Sequence, residues 1–284
     1  MLTICKRNLK IFFRDKSAVF FSLLAVFIII GLYVLFLGDT ITSGMQGIKN
    51  ARFLIDSWIM AGLLAVTSIT TTMGAFGIMI DDKTKKIEKD FLASPIKRSQ
   101  LAGGYILSSF VIGVIMTMIT FVLAEVYIVA YGGQILPMLS IIKVLGLILL
   151  SVLASSSMVF FMVSFFKSQN AFATASTVIG TLIGFLTGIY IPIGSLPEAV
   201  QYVIKVFPVS HAGLLFRQVM MAEPMAEAFA NAPASAVESF NNTMGVTYQF
   251  GNYTAGITVS ILVLVATTIV FYGLAIIKVS KKSK

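Results

Sequence analysis

The chain is 284 residues long, 57% hydrophobic and only 12% charged, with a formal net charge of +9. Soluble domains carry about a quarter charged residues, and one this apolar would expose patches that aggregate, so an ordinary soluble domain is excluded. Several apolar runs reach the roughly 20 residues that cross a bilayer core, and Lys and Arg flank them on one side, so the charge reads as membrane orientation rather than as a nucleic-acid surface.

Residues 1–16 come first and are not a span. Lys6, Lys10 and Arg14 recur every four residues on one helical face, while Leu2, Cys5, Leu9 and Phe12 fall on another. This spacing predicts an amphipathic helix lying in the membrane interface. Cys5 is the sole cysteine, so no internal disulfide forms, and its cytoplasmic placement predicts an inert thiol. The run 17–37 is longer than a signal-peptide apolar core and is not closely followed by a small-x-small cleavage site, which predicts a retained first span.

The further spans are expected at 57–80, 103–131, 141–166, 171–191 and 254–278. The segments between them differ sharply in charge. Residues 1–16 hold five Lys or Arg, the loop 38–56 two, 81–102 six and 132–140 none. The link 167–170 holds Lys167, residues 192–253 hold only Lys205 and Arg217, and the C-terminal end holds Lys278, Lys281, Lys282 and Lys284. The alternation predicts both termini in the cytoplasm. The apolar run LPEAVQYVIKV, 197–207, is half a span long and bounded by prolines. It is expected to be a re-entrant or interfacial helix on the outer side, which keeps the parity. Residues 209–253 are expected to form short helices or an irregular outer cap. The sequons at Asn241 and Asn252 are too short a pattern to carry weight.

No G-x-x-x-x-G-K-[ST] is present, so the chain does not itself hold ATP by a P-loop, and no H-E-x-x-H or G-x-S-x-G occurs. No metal-ligand pattern stands out. The single histidine, His211, has no partners for one and reads as a polar residue near the outer interface. No catalytic residue and no enzyme activity are expected.

Four features remain. In 81–102, Lys85, Lys86, Glu88, Lys89 and Asp90 alternate around Ile87, Phe91 and Leu92. That pattern fits either a solvated basic loop or a short docking helix presenting Phe91 and Leu92 to a partner, ended by Ser94-Pro95. In the fifth span Ser176, Gly180, Gly184 and Gly188 recur every four residues, a close-packing stripe for a helix of the same chain or of another subunit. Glu125 is the one acid well inside an apolar run. It is either held by hydroxyls of neighbouring helices, or kept protonated, or a contact for a cationic substrate. Hydroxyl clusters at Thr67–Thr72 and Ser151–Ser157 are expected to bond their own helix backbones.

On these residues the chain resembles the ABC-2 type permeases, the membrane subunits of ABC exporters. Three motifs carry the likeness in order. They are the amphipathic start with Arg7, Arg14 and Asp15; the loop with Asp82, Phe91, Leu92, Ser94, Pro95, Lys97 and Arg98; and a proline-flanked outer turn with Gly188, Pro192, Gly194, Leu196, Pro197 and Pro208. Where that family often has Gly-Thr in the loop, this chain has Lys86-Ile87. The resemblance implies an all-α, six-span exporter fold in the plasma membrane, similar to the drug and peptide exporter subgroup. It implies pairing with a second permease, as homodimer or heterodimer, with the fifth helix near that interface. It also implies two copies of a cytoplasmic ATPase that hold ATP and Mg, docked on 81–98 and 1–16. The cargo implied is an amphipathic drug, antimicrobial peptide or lipid. Two other classes stay open on the residues alone: an ion-coupled secondary transporter or channel, and a non-transporting immunity or sensory subunit.

Overall fold

The computed structural model describes residues 1–37, 49–251 and 253–281, without the side chains of 36, 37, 92 and 279–281. The expectations for the Leu92 side chain, Asn252, Lys282 and Lys284 lie outside these residues. The chain runs α1 (Leu2–Arg14), α2 (Lys16–Ser22), α3 (Leu24–Leu32), a π turn (Tyr33–Leu37), α4 (Ala51–Thr84), α5 (Ile87–Ala93), α6 (Arg98–Ala130), α7 (Met138–Val163) and α8 (Gln169–Leu186). A 3-10 turn (Ile193–Ser195) follows. Then come α9 (Glu198–Val206), α10 (Pro208–Met220), α11 (Ala222–Ala228), α12 (Ala234–Met244), β1 (Tyr248–Phe250), β2 (Tyr253–Ala255) and α13 (Ile257–Lys281). The strands form one antiparallel hairpin, with Tyr248 opposite Ala255.

α4 is the axis of the bundle. Every residue from Phe53 to Ile69 is buried, because α6, α7, α8 and α10 pack around it. A helix apolar on all sides belongs in such a position. Lipid offers no hydrophobic drive for helix pairing, so close packing and polar contacts must supply it. Both are present. A Cβ on Gly113 of α6 would stand 2.7 Å from Val152 of α7 and 2.8 Å from Thr72 of α4. Ser151 donates to Ser68 across α7 and α4 at 2.8 Å, and Tyr272 of α13 donates to Ser156 at 3.1 Å. Most other hydroxyls of these clusters do bond their own helix, as in Thr67 to Leu63 and Thr71 to Thr67.

Four helices, α4, α6, α7 and α13, are long and apolar enough to cross a membrane. The count rises to six if the bent pairs α2–α3 (44°) and α9–α10 (86°) are each one span. The first expected span, 17–37, is thus broken. Ser22 donates to the Val19 carbonyl at 2.8 Å, a back-bond that bends helices, and the chain restarts at Leu24. The fifth, expected at 171–191, is α8, which ends at Leu186 and is not among the four. It opens on Gln169-Asn170 and carries Thr174, Ser176, Thr177 and Thr181, which lower its hydropathy. The loop expected over 81–102 is shorter still, since 81–84 belong to α4 and 98–102 to α6.

Contacts between distant segments place the ends of the bundle. Residues 7, 82, 83, 91, 105 and 166 meet at one end. Residues 50, 52, 127, 134 and 227 meet at the other. The Lys278 ammonium lies over the Phe165 ring, so α1 and the last turns of α13 share the first, basic end.

Candidate functional site

The basic end is built on Asp82, in the last turns of α4 and 3% exposed. The Arg7 guanidinium of α1 grips it with both forks, at 2.6 and 2.7 Å. Tyr105 of α6 donates its hydroxyl to the same carboxylate at 2.6 Å. A bidentate pair of this kind fixes orientation as well as charge, and the bond to Asp82 pushes the Arg7 pKa above its ordinary value. Asn8, fully buried, donates to Ser108 of α6 at 3.1 Å and accepts from Arg7 at 3.0 Å. The Arg7 guanidinium also lies over the Phe91 ring of α5, 5.2 Å from its centre. Four segments, α1, α4, α5 and α6, are thus joined through one ion pair.

This changes the expected roles. The buried face of α1 is Ile4, Cys5, Asn8 and Phe12, rotated from the expected stripe. Leu2 is 66% exposed, and the polar Asn8 takes an inner place because Ser108 satisfies it. Arg14 is exposed, and Asp15 caps α2 by accepting from Ala18 at 3.0 Å. Phe91 is half-buried beneath Arg7 rather than presented outward. The surface of α5 and its flanks instead carries Lys85, Lys86, Lys89, Asp90 and Pro95, with Glu88 half-buried and Lys85 paired to Asp81 at 3.3 Å. Lys86 adopts a left-handed φ of 63°, turning the chain from α4 into α5.

A family model described as ABC-2 family transporter protein matches residues 45–277. The chain belongs to that family. No curated protein matches it. The permease is therefore a membrane-spanning component of an ABC system, and the family implies an ATPase partner.

The small-residue stripe of the permease divides in two. Gly188 has φ +67°, and the bonds Ile189 N–H to Gly184 O (2.9 Å) and Gly188 N–H to Phe185 O (3.0 Å) close α8 in a Schellman turn. A Cβ on Gly184 would run into the Tyr190 ring of the same turn, whereas around Gly180 nothing lies within 4 Å. Ser176 and Gly180 face an open groove of about 930 Å³ between α2–α3 and α8, with Thr70, Gly74 and Phe21 also in its walls. The prolines shape the turn that follows. Pro192 precedes the 3-10 turn, Pro197 precedes α9, and Pro208 opens α10 at its first position, where a missing N–H is no loss. Gly194 lets the backbone of α12 approach, since a Cβ there would meet the Thr243 Cα at 2.6 Å.

Two expected polar sites take different forms. Glu125 is buried at 9% exposure and accepts from the Leu136 backbone amide at 3.1 Å. A loop amide, not a neighbouring hydroxyl, holds it, and its second oxygen has no partner among the described residues. His211 is 2% exposed inside α10, between the Lys205 carbonyl (2.9 Å) and Ser260 (3.1 Å). Sequence reading passed over Tyr105, Asn8 and Ser108, and over a second cluster at the opposite end. There Arg52 pairs with Asp56 at 2.9 Å, donates to the Tyr127 hydroxyl at 3.2 Å and lies over Tyr131. The one available signal was the pair of acids at the edges of α4's apolar run. Arg217, counted only as a loop charge, is fully buried and stacked 4.8 Å from the Trp58 ring.

Proposed function

We propose that the permease is the membrane subunit of an ATP-driven exporter, moving a hydrophobic or amphipathic cargo such as a drug, an antimicrobial peptide or a lipid outward. It sits in the plasma membrane with both termini cytoplasmic, and it pairs with a second permease, identical or sister. Two copies of a cytoplasmic ATPase bind the ATP and Mg; the permease itself catalyses nothing. The observation that carries this reading is the Phe91–Arg7–Asp82–Tyr105 chain of contacts. It ties the exposed edge of α5 to α4, the most buried helix, and to α6. A push on α5 or α1 is therefore delivered to the bundle axis as a rigid-body displacement rather than absorbed in a loop. The groove of Ser176, Gly180 and Phe21 supports the pairing, because two such grooves facing each other would enclose a path whose walls mix apolar side chains with Ser and Thr hydroxyls.

The test is affinity capture of the tagged chain in mild detergent with mass spectrometry of what accompanies it. Wild type should bring a P-loop ATPase, and the exposed reversal Lys89→Glu with Asp90→Lys should lose it while melting as wild type does. A well-folded chain that brings no ATPase, or a reversal that binds it unchanged, sinks the docking assignment.

A further inference from the structure

Two cavities flank the contact between α7 and α13. The first, about 120 Å³, opens at the basic end between α4, α6, α7 and α13, with Lys83, Arg98, Lys278 and Glu88 in its walls beside Tyr105, Ser164 and apolar side chains such as Leu101 and Phe160. The second, about 360 Å³, is lined only by apolar side chains, among them Met158, Phe161, Phe165, Leu182, Ile183 and Phe271. Lys278 links their walls: it lines the first cavity, and its ammonium lies over the ring of Phe165, which lines the second.

We propose that the two together hold one anionic phospholipid, with its phosphate among Lys83, Arg98 and Lys278 and an acyl chain in the apolar crevice. Among the described residues of the first wall, three cations stand with one carboxylate, a balance that favours an anion. Half-burial of Lys83 and Lys278 limits the water that would screen it. Lys83 also donates to the Phe166 carbonyl at 2.5 Å, which keeps its ammonium beside the cavity instead of extended into solvent. The first cavity admits a phosphate group and is too small for a whole glycerolipid. The second offers no donor or acceptor to a polar metabolite. A charged head joined to a greasy tail satisfies both, and basic pockets between membrane helices take lipid head groups on this principle. Tyr105, the donor to Asp82, stands in the wall of the first cavity, so a bound lipid would brace the α1–α4–α6 cluster. None of this requires the export reading.

The test is native mass spectrometry and thermal melting of the full-length chain in mild detergent, with phosphatidylglycerol, phosphatidylcholine or inorganic phosphate added. Wild type should retain phosphatidylglycerol over phosphatidylcholine and melt higher with it. Each lost basic residue should reduce that preference by about fivefold, so Arg98→Gln with Lys278→Gln should nearly abolish it while Lys278→Arg keeps it. If the double variant cannot be purified, Arg98→Gln alone, an exposed change, reads the same ratio. Equal retention of the two lipids by wild type, an undiminished preference in the charge-deleted variant, or the same stabilisation by inorganic phosphate overturns the proposal.

Discussion

Asp56 and Asp82 stand near opposite ends of α4, about 39 Å apart at 1.5 Å per residue, and each is gripped by an arginine and reached by a tyrosine hydroxyl of α6. Tyr127 and Tyr105 supply the hydroxyls, and an aromatic ring, Tyr131 or Phe91, lies under each guanidinium. Two like clamps therefore hold α4 to α6 at both faces of the bundle. They differ in one respect. Arg52 belongs to α4 itself, whereas Arg7 comes from α1, so the basic-end clamp alone recruits a further helix, α1.

That difference sets a first expectation. Asp82→Ala leaves Arg7 and Tyr105 without their acceptor and should destabilise by about 3 kcal/mol. Arg7→Ala should cost a similar amount because the buried carboxylate is stranded. The double variant should cost well below the sum, with a coupling energy above about 1 kcal/mol. Melting of the four proteins in detergent measures this cycle, and strict additivity would show that the pair carries no joint energy.

Cys5 gives an independent reporter of the same helix. Burial raises its thiol above the ordinary value near 9, so the reactive thiolate is scarce at neutral pH. Maleimide labelling of the wild type should be slow at pH 7–8 and quicken as pH rises beyond 9. The folded state holds this proton more tightly than the unfolded chain. Its stabilising contribution is therefore full below about pH 9 and declines above it. Arg7→Ala, by loosening α1 and exposing the thiol, should speed labelling at pH 7.5. Unchanged labelling would mean that α1 stays seated without its ion pair.

Much of this was legible in the sequence, for identifiable reasons. Apolar runs in α4, α6, α7 and α13 exceed what any soluble helix needs, and membrane crossing follows from transfer energetics alone. The turn from α8 into α9 was legible because proline and glycine dictate backbone shape locally: Gly188 supplies a positive φ and Pro208 a helix start. The ion-pair clamps were not. Asp82 and Arg7 are 75 positions apart, and nothing local distinguishes Arg7 from its exposed neighbours Lys6 and Lys10. The rotation of α1 that buries Asn8 depends on Ser108, a partner in another helix. The break at Leu23 escaped because a single serine back-bond interrupts a run that is otherwise uniformly apolar.

Arg217 is fully buried, yet it makes one hydrogen bond, to the Thr187 carbonyl at 2.9 Å, and its Nε and Nη1 have no partner among the described residues. Its worth lies in stacking on Trp58, which itself donates to the Met244 carbonyl at 2.7 Å. Arg217→Ala should leave a cavity and cost on the order of 3 kcal/mol, while Arg217→Met fills the space without stranded donors and should cost under about 1.5 kcal/mol. Trp58 is the sole tryptophan, so its emission reports the stack directly. Equal melting of the two variants, with Trp58 emission as in wild type, would show that the stack carries nothing.

The two halves of the α8 stripe should respond differently. Gly188→Ala forces a side chain into left-handed backbone, at about 1–2 kcal/mol, and brings its Cβ to 2.5 Å from Ile193, so the isolated chain should melt lower. Gly180→Leu meets open space and should leave that melting unchanged. If the groove is the face that meets a second permease, the leucine should instead reduce cross-linking between tagged and untagged copies in membranes. Undiminished cross-linking would move the pairing face away from Ser176 and Gly180.

Glu125 separates a packing role from contact with a cationic cargo. Its one bond joins α6 to the loop before α7 through the Leu136 amide. Gln offers the same acceptor and removes the charge, so Glu125→Gln should melt within about 0.5 kcal/mol of wild type, the range of a change that leaves packing intact. Glu125→Ala frees the amide and should cost about 1–3 kcal/mol, the penalty for a buried donor left unpaired. If the residue only packs, export of cationic and neutral cargo in vesicles should follow stability, with Gln active and Ala impaired. If the carboxylate meets a cation, Gln should stay stable and lose the cationic cargo alone. The structure favours the first result, because one oxygen already serves the loop and burial leaves the other little access to a passing charge.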